Sequence, residues 1–85
     1  MNVTILYFAR LREAVGIDRE QLALPAGVDR VAELRRFLAA RGEPWRAAFT
    51  DTRPVRAADD LVLAGDDAAL RDGAEVAFFP PVTGG

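Results

Sequence analysis

The sequence predicts an α+β fold, a mixed sheet with one main helix packed on one face. Three observations predict it. Strand-like apolar runs stand near both ends of the 85-residue chain, at residues 3–8 and 75–79. One amphipathic stretch, residues 30–41, lies between them. The order strand, strand, helix, short strands, strand leaves a crossover through which the first and last strands can run parallel.

The first strand reads V-T-I-L-Y-F, and both of its faces are apolar. Val3, Ile5 and Tyr7 point one way, Leu6 and Phe8 the other. A short helical turn follows over residues 11–15 and ends at Gly16. Residues 19–24 form a second strand with Leu22 and Leu24 on its apolar face and Arg19 and Gln21 on its polar one. Pro25-Ala26-Gly27 breaks the chain. In the helix, Val31, Leu34, Phe37 and Leu38 recur at helical spacing, with Asp29 as candidate N-cap and Gly42 as candidate C′ residue. Trp45 opens another short turn and reads as a core residue. Residues 54–57 and 60–63 read as short strands, with Leu61 and Leu63 sharing one face and Val62 on the other. Residues 65–67 and 72–73 are turns before the last strand, E-V-A-F-F. This is the β-grasp, ubiquitin-like arrangement. We read residues 1–81 as that domain and 82–85 as a flexible reactive tail.

Composition narrows the function. A chain this short buries about 60–65% of its unfolded surface, which leaves little core for a deep catalytic pocket. It has no Cys and no His. Disulfides, thiolate metal sites and a cysteine nucleophile are thereby excluded, and the commonest general base is missing. Asp59-Asp60 and Asp66-Asp67 do not sit in a calcium-loop pattern and read as solvated turns, so no metal site is expected. With net charge −2 and no basic run longer than Arg35-Arg36, a nucleic-acid partner is not expected. No leader and no membrane span are read, and the expected location is the cytoplasm. All 11 basic residues are Arg. A composition bias explains this, and so does avoidance of amines that would attack an activated C-terminus.

The end of the chain, F-F-P-P-V-T-G-G, carries the chemistry. Pro80 forces Phe79 into extended geometry, and Pro80-Pro81 favours a stiff polyproline segment. The six residues from Pro80 to Gly85 reach about 20 Å when extended, far enough to enter a buried site on another protein. Gly84 and Gly85 lack a Cβ, so they fit a narrow channel and leave the terminal carboxylate open. Two terminal glycines alone arise by chance in about one chain in 200. Pro-Pro directly after an aromatic strand is the more informative part.

These residues resemble a known family. Phe79-Pro80-Pro81-Val82-Thr83-Gly84-Gly85 is similar to the C-terminal signature of the small subunits of molybdopterin synthase, relatives of the thiamine sulfur carriers. Phe8-Ala9-Arg10-Leu11-Arg12-Glu13 with Gly16, and Asp72-Gly73-Ala74-Glu75-Val76-Ala77, resemble two further family segments. The resemblance covers essentially the whole chain. It departs near Ala58-Asp59-Asp60-Leu61, where relatives often carry Asn, and this puts a local turn or polar contact in doubt.

The resemblance implies a sulfur carrier. A partner enzyme uses ATP to adenylate Gly85, and a sulfur relay then forms a thiocarboxylate. Residues Pro80, Pro81, Val82, Thr83 and Gly84 insert into a large subunit. There the sulfur passes to a cyclic pterin precursor of molybdopterin, inside a heterotetramer of two small and two large subunits. The chain holds no permanent cofactor and catalyses nothing alone. Phe8, Leu63 and Phe79 are the implied docking residues, consistent with outward-facing positions on their strands. Two alternatives stay open: a sulfur carrier for thiamine or cysteine synthesis, and a ubiquitin-like modifier or interaction domain.

Overall fold

The computed structural model describes residues 1–51 and 53–81. Its elements in order are β1 (Asn2–Tyr7), α1 (Ala9–Val15), β2 (Arg19–Ala23), α2 (Val31–Ala39), α3 (Trp45–Thr50), β3 (Arg56–Asp59), β4 (Val62–Ala64) and β5 (Glu75–Phe79). The five strands make one sheet in the order β2-β1-β5-β3-β4. β1 and β5 run parallel, with Ile5 opposite Val76 and Tyr7 opposite Phe78, and the other pairs are antiparallel. The predicted mixed sheet is therefore present, and the one main helix expected on its face, α2, is joined there by α1 and α3.

Strand alternation sets the two faces. Val3, Ile5, Tyr7, Val76, Phe78 and Ala57 point under the helices and are buried. They meet Leu11 and Val15 of α1, Leu34 and Leu38 of α2, and Ala48 of α3. The Phe49 ring packs edge-on against Phe78 at 5.0 Å and against Tyr7 at 6.4 Å, the geometry that aromatic quadrupoles favour.

Several predicted boundaries shift, each for a physical reason. The N-cap of α2 is Arg30, not Asp29. Residues 29–30 are held extended by a bridge between Arg30 and Ala69 and by the Leu70 N–H donating to the Asp29 carbonyl at 2.8 Å. The helix then needs no side-chain cap. The Val31 and Ala32 N–H groups donate to the carbonyls of Ala68 and Asp66, which satisfies donors left open by the first turn. Gly42 has the expected positive φ of 95°, but it stands three residues beyond the last helical residue, Ala39. α1 is longer than the predicted turn and ends as expected at Gly16, whose N–H donates to Arg12 O.

The β3–β4 hairpin lies about two residues later than the sequence suggests. Its loop is Asp60-Leu61, and both residues have positive φ, 48° and 72°. Two-residue hairpin loops need that geometry and usually meet it with Asn or Gly. Leu61 is thus a turn residue that shares no strand face with Leu63, and it is 93% exposed.

Candidate functional site

The face of the sheet away from the helices carries an uncovered apolar strip. Register places Leu6 opposite Ala77, Ala77 opposite Ala58, and Ala58 opposite Leu63, so these four cross the sheet in one row. Phe8 keeps extended backbone at the start of α1, and its N–H donates to Phe78 O at 3.1 Å. That continues the β1–β5 ladder by one residue and brings Phe8 level with Phe79. Phe8 is 49% exposed, Leu63 is 70% exposed and Phe79 is half-buried. The three predicted docking residues therefore share a face. Phe8 and Phe79 are neighbours, and Leu63 stands beyond a floor made by Ala58 and Ala77. Small residues in the middle of a strip with larger ones at its ends leave a shallow, exposed apolar depression.

β5 supplies the direction. It is the central strand, paired on one side to β1 and on the other to β3. It ends at Phe79, opposite Arg56, and Pro80 and Pro81 continue half-buried from there. The root of the tail is thus fixed beside the apolar strip. The remaining predicted tail residues, Val82, Thr83, Gly84 and the reactive Gly85, lie outside the described residues.

Arg56 pairs across the sheet with Phe79 at this root, and two further arginines are anchored on the segment before β3. Arg56 is exposed on the Phe79 side, and Arg10 donates from Nη2 to Pro54 O at 2.7 Å. Arg53 holds Asp51 through a 2.6 Å ion pair, which pulls the Asp51 carboxyl down to about 2.

A second polar cluster lies under the helices. The Tyr7 hydroxyl donates to Glu20 Oε2, and Trp45 Nε1 donates to the same hydroxyl at 3.0 Å. Arg41 pairs with Glu20 at 2.9 Å, and its guanidinium stacks over the Trp45 ring at 4.2 Å. Burial and the bond to Glu20 push the Tyr7 phenol far above its ordinary value. Burial opposes the charge on Glu20, yet the hydrogen bonds from Arg41 and Tyr7 outweigh it and hold its pKa below normal. Sequence reasoning missed this group. The signal was Glu20 itself, a carboxylate on the same strand face as Leu22 and Leu24, which requires a buried partner.

Among the described residues no three His, Cys, Asp or Glu side chains gather as a metal site, and no helix is long and apolar enough to cross a membrane. Of the two acidic pairs, Asp66 binds Arg35 at 2.9 Å, and Asp60 accepts the Glu75 N–H. Asp59 differs: its Oδ1 is buried without a hydrogen-bond partner, and burial, then the neighbouring Asp60 charge, raise its pKa.

Comparison with known proteins agrees with this geometry. The family model described as the ThiS family matches residues 5–85. A molybdopterin synthase sulfur carrier subunit from Escherichia coli is 43% identical over 83 residues, covering 98% of this chain and 99% of its own. A protein of the same description from Chlamydomonas reinhardtii is 33% identical over the full length of both chains. Among solved structures, a putative molybdopterin converting factor subunit 1 from Pyrococcus furiosus superposes with TM-score 0.78 at 30% identity, over 96% of this chain and 99% of its own. A complex of subunits 1 and 2 of molybdopterin-converting factor from Helicobacter pylori superposes with TM-score 0.65 at 21% identity, over the whole of both chains, and shows likeness of fold. On the family match and these full-length identities, the chain belongs to the ThiS family.

Proposed function

We propose that this chain is the sulfur carrier of molybdopterin synthesis and the small subunit of a molybdopterin synthase. The observation that carries the reading is the placement of β5. The central strand ends, through Phe79, Pro80 and Pro81, beside an exposed apolar strip, so a partner docked on the strip stands at the root of the tail. The full-length likeness to sulfur carrier subunits supports the reading.

The chemistry resides in the Gly85 carboxylate. As an anion it is a poor electrophile. An oxygen of the carboxylate attacks the α-phosphorus of ATP on an activating enzyme, pyrophosphate leaves, and an acyl-adenylate results. A sulfur donor attacks the acyl carbon, and AMP departs with the oxygen it was bound to. The product is a thiocarboxylate, an anionic sulfur nucleophile on a tether. Inside the large subunit this sulfur passes to a cyclic pterin precursor, and water restores the carboxylate. A dithiolene needs two sulfurs, hence two carriers per product, in keeping with a heterotetramer. The site of action is the cytoplasm.

The test is a reconstituted synthesis with the activating enzyme, ATP, a sulfur donor and the large subunit. The full chain is expected to gain mass equal to replacing one oxygen by sulfur, and to support molybdopterin formation. A chain lacking Gly84 and Gly85 is expected to fold normally and do neither. Molybdopterin formation by the shortened chain would overturn the reading.

A further inference from the structure

The sheet has two edges, and they are built differently. The β2 edge carries Arg19, Glu20 and Gln21, and charges of this kind blunt an edge against strand pairing. The β4 edge is Val62-Leu63-Ala64, without a charge or a proline, and Val62 and Leu63 are 68% and 70% exposed. Asp59 and Val62 flank the two-residue turn, so they form the hydrogen-bonded pair of the hairpin. Alternation then turns the Leu63 N–H and C=O away from β3, toward the open edge.

The ladder also stops early. Register would set Arg56 opposite Gly65, but the chain leaves the sheet there, and the Gly65 carbonyl, which alternation turns outward like that of Leu63, is taken by the Ala68 N–H. A groove remains where the ladder stops, lined by Arg35, Val55, Arg56, Leu63, Ala64 and Asp66, whose carboxylate is already paired with Arg35. Among the described residues Arg56 has no carboxylate within ion-pair distance. At the tip, Leu61 holds an exposed apolar side chain in left-handed backbone, a conformation that a residue with a Cβ rarely adopts.

We propose that the open β4 edge is a strand-addition site for an extended segment of the large-subunit partner, apolar where it meets Leu63 and acidic where it reaches Arg56. The inference rests on the sulfur-carrier reading and deepens it. Leu63 belongs both to the apolar strip and to the edge, so one partner surface covers the two without a break. Arg56 beside it, which has no carboxylate partner among the described residues, selects an acidic segment.

The test is amide hydrogen exchange on the full chain, free and saturated with the large subunit of the same organism. In the free chain the Leu63 amide is expected to exchange rapidly. Binding is expected to slow it by about a hundredfold or more, and to leave the outward amides of β2 unchanged. The exposed substitution Arg56→Glu is expected to weaken binding about tenfold while exchange elsewhere shows an intact fold. Equal affinity for that variant overturns the acidic segment. A complex in which the Leu63 amide exchanges as fast as in the free chain overturns strand addition, while sulfur transfer in the same complex keeps the carrier reading. Slowing that follows the chain's own concentration, without the large subunit, assigns the edge to a second copy and also overturns it. If no complex forms, both readings fall together.

Discussion

Trp45 Nε1 and Glu20 Oε2 meet on one atom, the Tyr7 hydroxyl, which accepts from the first at 3.0 Å and donates to the second at 2.7 Å. Tyr7 is 1% exposed, so neither partner is replaceable by water without rearrangement. Tyr7→Phe removes the acceptor for Trp45 and one donor for Glu20. The expected loss of folding stability is about 1–3 kcal/mol, the cost of leaving buried polar groups unpaired. Urea denaturation of both chains checks it. A loss below about 0.5 kcal/mol would mean the hydroxyl contributes no more than a surface contact.

The same cluster sets the acid limb of stability. The Glu20 pKa is lowered on folding, so its contribution is present above the ordinary value of 4.5 and is lost as pH falls through the folded value below it. Glu20→Gln is expected to flatten the dependence of melting temperature on pH below 4.5. At the alkaline end the sign is also fixed. Tyr7 is raised above 10.0, so its neutral form favours the fold, and stability falls as pH rises beyond 10.0. Tyr7→Phe should remove that alkaline decline.

Asp59 works in the opposite sense to Glu20. Its pKa is raised, so its ionised form disfavours the fold above the ordinary value of 3.8. Asp59→Asn is expected to raise the melting temperature at neutral pH and to give no gain well below 3.8. A melting temperature lowered at both would show that Oδ1 has a compensating partner.

Leu61→Gly relieves left-handed backbone at the hairpin tip, offset by the extra chain entropy of glycine. The expected net gain is about 0.5–1 kcal/mol, read from urea denaturation. Loss of stability would show that the Leu61 side chain packs on something in solution.

On the outer face, Leu63→Arg changes a residue with little buried area. Folding stability should stay within about 0.5 kcal/mol, while affinity for the large subunit falls at least about tenfold. Calorimetric titration checks the second part. Unchanged affinity would remove Leu63 from the docking surface.

Much of this fold was legible in the sequence because its long elements are strongly patterned. The alternation in β1 and β5 and the helical spacing of Val31, Leu34 and Leu38 lead directly to the core. Phe8, Leu63 and Phe79 were placed outward by the same alternation, and the register brings them to one face. The hairpin was misjudged because Asp60-Leu61 performs a glycine-type turn without a glycine, and a leucine there reads as strand. The α2 cap was misjudged because loop carbonyls from Asp66 and Ala68, more than 30 positions later in the chain, replace a side-chain cap. No local signal announces either. The Tyr7–Glu20–Arg41–Trp45 cluster joins four separate segments, and only the misfit of Glu20 on an apolar face hinted at it.

The parallel pairing of β1 with β5 has a consequence for how the carrier comes into being. Without β5 the sheet falls into two ribbons, β2-β1 and β3-β4, each of the kind that is marginal in water. The central strand is therefore also the keystone of folding, and it leaves the ribosome after the other four strands described. A chain cut short before β5 is left unfolded and open to proteolysis. A folded domain in the cell is one whose synthesis has already passed that central strand.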